Sequence, residues 1–442
     1  MIASIQKYMS NKPVNIYSSS AKTNKDKRNR FSSILHWFNI IGISFLVIWV
    51  VIGNLVAYQL EQPVLIAKND LVRQFPRIEM SASGLKLKEL IVKLGTTTMP
   101  ATVRNDLSSY VQDSTTTPSN SLQNYLSAQS QNITLIRALL LKNVMPQWES
   151  FDLNMLLNEG AFDPRSFLEA TNLHRILIAD EIIHYRTKES PAAFDSLEAA
   201  WKLNQSIREM PTFISQLVAI ISDTVQLRGL RKIDLVPPIW QMRLLSPDIK
   251  KHFFMALKFE TFMKYGLLRN FPLRKGGSER DEKSSSILSL ILQPFVQPYF
   301  TLSAVDRWQV EMRELELTFN QDPCAAIPFT DISQISSWNI LGFISESTNY
   351  VQITKLFRRQ IDMELTQKIL RLREVASQTG KFPQTLSEID SSVVCKNLQY
   401  AYQPAPDGKM MTISVSPQNR PEWLVEREGN IPLTYTTKLQ NL

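Results

Sequence analysis

Thirty positions separate Arg30 from Glu61 without a single Asp, Glu, Lys or Arg. The centre of that run, NIIGISFLVIWVVIGNLVAY, predicts a helix that can cross a hydrocarbon layer of about 30 Å at about 1.5 Å rise per residue. Trp37 and Tyr58 stand near its two ends, where amphipathic rings favour the headgroup interface. An uncleaved anchor fits this pattern. A signal peptide has an apolar core of about 7–15 residues and a small-residue exit, which Leu55-Val56-Ala57 matches poorly. Cleavage and a buried core helix stand as the alternatives.

Beyond the anchor, apolar positions recur mostly at helical spacing. The predicted helices cover 85–94, 132–142, 167–187, a segment from Pro191 to before Pro211, 212–230, 247–270 and 287–320. The segment TFISQLVAIISDTVQLRGL is apolar on more than one face, which predicts a central buried helix. Pro294 and Pro298 predict a bend or break in 287–320. A last long helix is expected from about 340 to 379, with Ile353, Phe357, Ile361, Leu365, Ile369 and Leu372 forming one core stripe. Polar stretches at 113–121 and 274–286 read as loops.

After this helix the pattern changes. Gly380 can take a left-handed conformation that closes the helix, and Phe382-Pro383 redirects the chain. Thr385 and Glu388 have capping-box spacing, which predicts a short helix presenting Leu386 and Ile389. Alternation at Leu398, Tyr400 and Tyr402, and again at Met411, Ile413 and Val415, flanks Asp407-Gly408 and predicts a hairpin. The expected protein is mainly α. It has a basic cytoplasmic tail (1–32), a transmembrane anchor (33–60), an extended extracytoplasmic helical domain (61–379) and a small C-terminal α+β hairpin module (380–442).

Charge sharpens the topology. The chain carries a net +8, but its first 32 residues hold seven Lys and Arg against Asp26, so only +2 remains elsewhere. The excess is a flank of the anchor and puts the N-terminus in the cytoplasm of a bacterial inner membrane, with the C-terminal domain periplasmic. No nucleic-acid partner is expected from so local a basic block. The two cysteines, Cys324 and Cys395, could pair in an oxidising compartment or remain two buried thiols. Pairing would close a loop of about 70 residues and tie the long helix after 340 to the C-terminal module.

Chemistry-bearing patterns are sparse. His174, Glu181 and His184 fall within about 80° of one helix face, and Glu181-x-x-His184 has di-iron-site spacing, yet no second Glu-x-x-His occurs. An ordinary polar face or helix contact is the competing explanation. Glu311, Glu314 and Glu316 read as a solvated helix face rather than an acid–base pair. The aromatic and Met residues of 253–266 read as core. No G-x-S-x-G, P-loop or G-x-G-x-x-G sequence is present, and no cofactor or catalytic residue is assigned.

A long helix, then Gly380, Phe382, Pro383 and Leu386 in a G-x-F/Y-P-x-x-L pattern, then a hairpin, resembles the C-terminal half of type II secretion pseudopilins. It is also similar to the ends of single-pass bacterial envelope proteins, and the stretch 199–220 resembles the mid-region of such anchored helical proteins. The chain departs from true pilins before its anchor, where KDKRNRFSSIL has neither the Gly-Phe pair nor the Glu of a pilin processing site. The resemblance implies a shared structural ending. The function expected is a non-catalytic, membrane-anchored scaffold or assembly protein with an envelope protein partner. A hydrolase with dispersed catalytic residues and a metal-binding or sensory domain are the alternatives.

Overall fold

Helix α1 (Thr23–Gln74) contains the apolar run and continues beyond it. The stretch His36–Gln74 is long and apolar enough to cross a membrane. The structure is a computed structural model. It describes residues 23–112, 117–142, 145, 147, 149–153, 165–234, 236–245, 248–270, 285–325, 335–344, 349–385, 391–426 and 430–439. Among these the protein is 70% helical, with twelve helices and one antiparallel three-stranded sheet. The basic tail up to Lys22, most of the 274–286 loop and residues 386–390 of the expected short helix lie outside the described residues.

The chain divides into two compact units, Met1–Gln59 with Gly277–Tyr299, and Leu60–Gly276 with Phe300–Leu442. In the first, α1 meets the beginning of α10 (Ser285–Asn320). The Trp49 indole N–H donates to the Phe295 carbonyl at 2.8 Å. A Cβ at Gly53 would lie 3.2 Å from the Pro298 ring, so glycine gives the two segments their close approach. Most large side chains along α1 remain uncovered, with Phe45 70% exposed and Leu55 58%. Both prolines lie inside α10, which runs as one continuous helix. Of the expected bend or break, a break does not occur.

In the second unit, α2 (Ala82–Leu94), α3 (Ala101–Gln112), α4 (Asn120–Leu141), α5 (Arg165–Arg186), α6 (Ser190–Arg208) and α7 (Phe213–Lys232) surround one large core. Local caps fix several ends. Ser81, Ser119 and Thr212 each accept a backbone N–H from three residues on, and Gly95 closes α2 at φ 69°. Helix α7 buries more than one face, as its pattern predicts, but Ile214 and Ile221 on one stripe stay exposed. At Gly229 a Cβ would meet Glu181 Oε2 and Ile178 Cγ2 at 2.9 Å, so only glycine lets α7 approach α5 so closely.

Helices α8 (Ile239–Leu244) and α9 (Asp248–Arg269) follow, and α9 buries Phe253, Leu257, Phe259 and Phe262. Glu61, just past the apolar run, accepts from Tyr265 and pairs with Arg269. The expected last helix is described in two parts, α11 (Ile340–Ile344) and α12 (Asn349–Thr379), and residues 345–348 between them lie outside the described residues. The stripe on α12 divides between two cores. Ile353 and Phe357 join the helical core, whereas Ile361, Leu365, Ile369 and Leu372 pack under the sheet.

Gly380 takes φ 73°, and its N–H reaches Ala376 O at 2.8 Å, closing α12. The next contact holds the module in place, with Phe382 N–H donating to Gly408 O at 2.8 Å. Strands β1 (Tyr400–Pro404) and β2 (Met410–Val415) form the expected hairpin, with Tyr402 opposite Ile413. Unexpectedly, β3 (Thr434–Lys438) adds to the far edge of β2, with Tyr435 opposite Ile413.

Candidate functional site

Helix α5 carries the sequence's candidate metal ligands, and the structure gives them separate surroundings. His174 is wholly buried, and burial pushes its imidazole down to about 4, leaving it neutral at pH 7. Glu181 is also wholly buried, beside Gly229, and burial raises its carboxyl well above the usual range. His184 is part-exposed. Its Nδ1 lies 2.6 Å from Glu189 Oε2 and its Nε2 lies 3.4 Å from Asp180 Oδ1. Among the described residues, the three do not form a group whose ligand atoms lie within 4.8 Å of one another.

The Glu311 carboxylate is not on a solvated face. It is 1% exposed and pairs with Arg307 Nε at 2.6 Å and with Lys264 Nζ at 3.7 Å. Glu316 does face solvent, on the opposite side of α10. The apolar positions around Glu311 hid this buried ion pair from the sequence.

Cys324 and Cys395 are joined as a disulfide. Cys324 lies four residues past α10, so the bond ties the end of α10 to the chain before β1, rather than tying α12 to the module. Asp322 braces the crosslink, its Oδ1 accepting from Cys324 N–H and its Oδ2 from Lys396 N–H. Its carboxylate and the two sulfurs lie within 4.8 Å of one another. With the sulfurs bonded to each other and the carboxylate bonded to backbone, the cluster serves as a strut.

A different place in the second unit has site-like chemistry. A cavity of about 580 Å³ opens between α3, α5, α7, α12 and the chain around Trp423. Its cations are Arg175 on α5, Arg228 on α7, and Lys355, Arg358 and Arg359 on α12. Against these five stand two carboxylates, Asp362 and the exposed Glu422. The apolar wall includes Val111, Ile220, Val225, Trp423 and Ile431. At the exposed edge, Ile221, Val351 and Val425 are 45%, 51% and 39% exposed.

The two arginines at the floor have different roles. Arg358 holds Asp362 Oδ1 at 3.2 Å and donates to Val425 O at 2.9 Å and Ile431 O at 2.6 Å, fixing the C-terminal wall. Arg359 is 1% exposed, yet among the described residues neither Nη has a hydrogen-bond acceptor. Its Nε stands 3.5 Å from Asp223 Oδ2, an oxygen already 2.6 Å from Arg208 Nη2. Asn204 donates to the other Asp223 oxygen at 2.6 Å. One carboxylate thus serves two buried guanidiniums.

Burial lowers the Arg359 guanidinium to about 10 and also lowers Arg175 and Arg228, leaving Arg359 charged at pH 7. Burial raises the Asp362 carboxyl against the opposing pull of Arg358, Arg359 and Arg231. The cavity therefore offers fixed positive charge beside aliphatic surface, which suits holding an anion better than moving a proton. No motif marks it in the sequence, because its cations come from three helices up to about 180 residues apart. The usable signal was Arg358-Arg359 and Asp362 interrupting the stripe of α12, where solvated charges do not belong. No protein-family model, curated protein or solved structure matches the chain.

Proposed function

We propose that the protein is a single-pass, membrane-anchored protein of the bacterial envelope that works by binding partners rather than by catalysis. Its N-terminus is cytoplasmic and its helical domain extracytoplasmic. The observation that carries this reading is the row of uncovered large apolar side chains on α1. Trp37, Phe38, Ile41, Phe45, Leu55 and Tyr58 are all at least 58% exposed. So long an apolar surface is costly in water and favourable in lipid.

Two further features support it. Seven basic residues precede the span and favour retention of that end in the cytoplasm. The Cys324–Cys395 disulfide fits an oxidising compartment outside it. The α12–Gly380–hairpin ending supports a pseudopilin-like C-terminus as a shared structural form, and the scaffold or assembly role follows from the tether. Crosslinking in intact membranes, followed by pull-down of the full chain, tests the role. A reproducible envelope protein partner is expected, and recovery of the chain alone in repeated experiments contradicts it.

A further inference from the structure

We propose that the arginine-lined cavity is a binding site for a small organic anion with an apolar body and one carboxylate or phosphate head. This goes beyond any protein partner of the anchored domain, since the cavity is a feature of the second unit by itself.

Three observations converge on that ligand. The first is charge imbalance. Asp362 is engaged by Arg358, and Asp223 is shared between Arg208 and Arg359. Arg359 lines the cavity, and its two Nη groups, buried just behind that lining, have no acceptor among the described residues. A buried guanidinium that a shared carboxylate compensates only in part is costly, and an anionic head drawn to this end of the cavity would complete the compensation. The second is the position of the apolar surface. Ile221, Val351 and Val425 are exposed at the edge, where they would cover the body of a ligand whose head points to the floor. The third is size. About 580 Å³ lies within the ~300–1,000 Å³ range of sites for small organic molecules, and far above the space one inorganic anion fills.

The half-buried Arg175 and Arg228 stand on the neighbouring helices α5 and α7 and line the same cavity, so an anionic head there lies in the field of both. Lys355 is exposed and contributes at the entrance. Arg358 is excluded as a test position because its bonds to Val425 O and Ile431 O build the wall.

Equilibrium dialysis of the full chain in nanodiscs of zwitterionic lipid tests the proposal with four probes. These are 1-naphthyl phosphate, 1-naphthoate, neutral 1-naphthalenemethanol and inorganic phosphate. Both naphthyl anions should bind once per chain and at least about tenfold more tightly than the alcohol or inorganic phosphate, as a charge-assisted pair added to apolar burial requires. Arg175→Gln and Arg359→Met should each weaken the anions by about tenfold or more while leaving the alcohol unchanged. Thr224→Trp, which fills the cavity, should abolish both. If Arg359→Met fails to fold, the Arg175→Gln result decides, with unchanged circular dichroism as its control. Equal binding of the alcohol, equal binding of inorganic phosphate, undiminished anion binding in the variants, or no binding of either naphthyl anion overturns the proposal.

Discussion

Replacing Asp223 by Asn removes one negative charge and almost no volume from the middle of α7. In the native protein its Oδ2 lies 2.6 Å from Arg208 Nη2 and 3.5 Å from Arg359 Nε, with all three side chains at most 3% exposed. The substitution leaves Arg208 and Arg359 buried without the counter-charge they share. Breaking a buried pair in this way costs about 3–5 kcal/mol. A unit pair near 4 Å at an effective dielectric of 20 gives a similar value, about 4 kcal/mol.

The same geometry predicts that Arg359→Met is far cheaper. It removes a charge that Asp223 only partly compensates and keeps most of the buried volume, so the change should fall within about 1 kcal/mol of zero. In the double variant, one fewer stranded cation should recover at least about 1 kcal/mol of the Asp223→Asn loss, a coupling typical of residues sharing a buried network. Urea unfolding of the full chain in non-ionic micelles at pH 7, followed by tryptophan fluorescence, measures all three. An Asp223→Asn cost below about 1 kcal/mol would refute the reasoning, as would an Arg359→Met cost equal to it.

Reducing the disulfide, or replacing Cys324 and Cys395 with Ser, frees a 71-residue loop and should cost about 4 kcal/mol. Melts with and without dithiothreitol read this directly, and an unchanged midpoint contradicts it. His174 is held at about 4, below its ordinary 6.5, so the unfolded chain takes up its proton first as pH falls. Its contribution of about 3 kcal/mol is therefore complete above pH 6.5 and is lost on going down through pH 4. His174→Leu should flatten the stability profile across that window, and a profile as steep as the native one contradicts the assignment. Gly380→Ala should cost about 1–2 kcal/mol from backbone strain alone, because nothing lies within 4 Å of the new Cβ. Gly229→Ala should cost more, since its Cβ meets Glu181 and Ile178. The reverse order in unfolding midpoints contradicts both explanations.

What was legible in the sequence followed from strong local rules. Arg30 to Glu61 is too long an apolar run to be missed, and Gly380, Asp407 and Gly408 each sit where a left-handed or turn conformation is required. The apolar positions of α12 were rightly read as buried. That Ile353 and Phe357 serve one core while Ile361 to Leu372 serve another is a fact of tertiary packing, which periodicity does not encode. Helix α3 and the first half of α4 were missed because Ser, Gln, Asn and Thr dilute their apolar stripe. Strand β3, Thr-Tyr-Thr-Thr-Lys, is an edge strand with little buried side chain and so has almost no hydrophobic signature.

The candidate site was the least legible part. Glu311, Arg359 and Asp223 look like surface residues by type, and only the packed helices show that each is buried beside opposite charge. Its apolar lining likewise looks like ordinary core until Val111, Ile220, Trp423 and Ile431 are seen to line one cavity.

The anchored topology is tested most directly by paired reporter fusions at the C-terminus of the full chain in a bacterial host. An alkaline phosphatase fusion should be active and membrane-bound, while a cytoplasm-dependent fluorescent fusion at the same site should be dark. An inactive phosphatase with a bright fluorescent partner would place the helical domain in the cytoplasm and contradict the account.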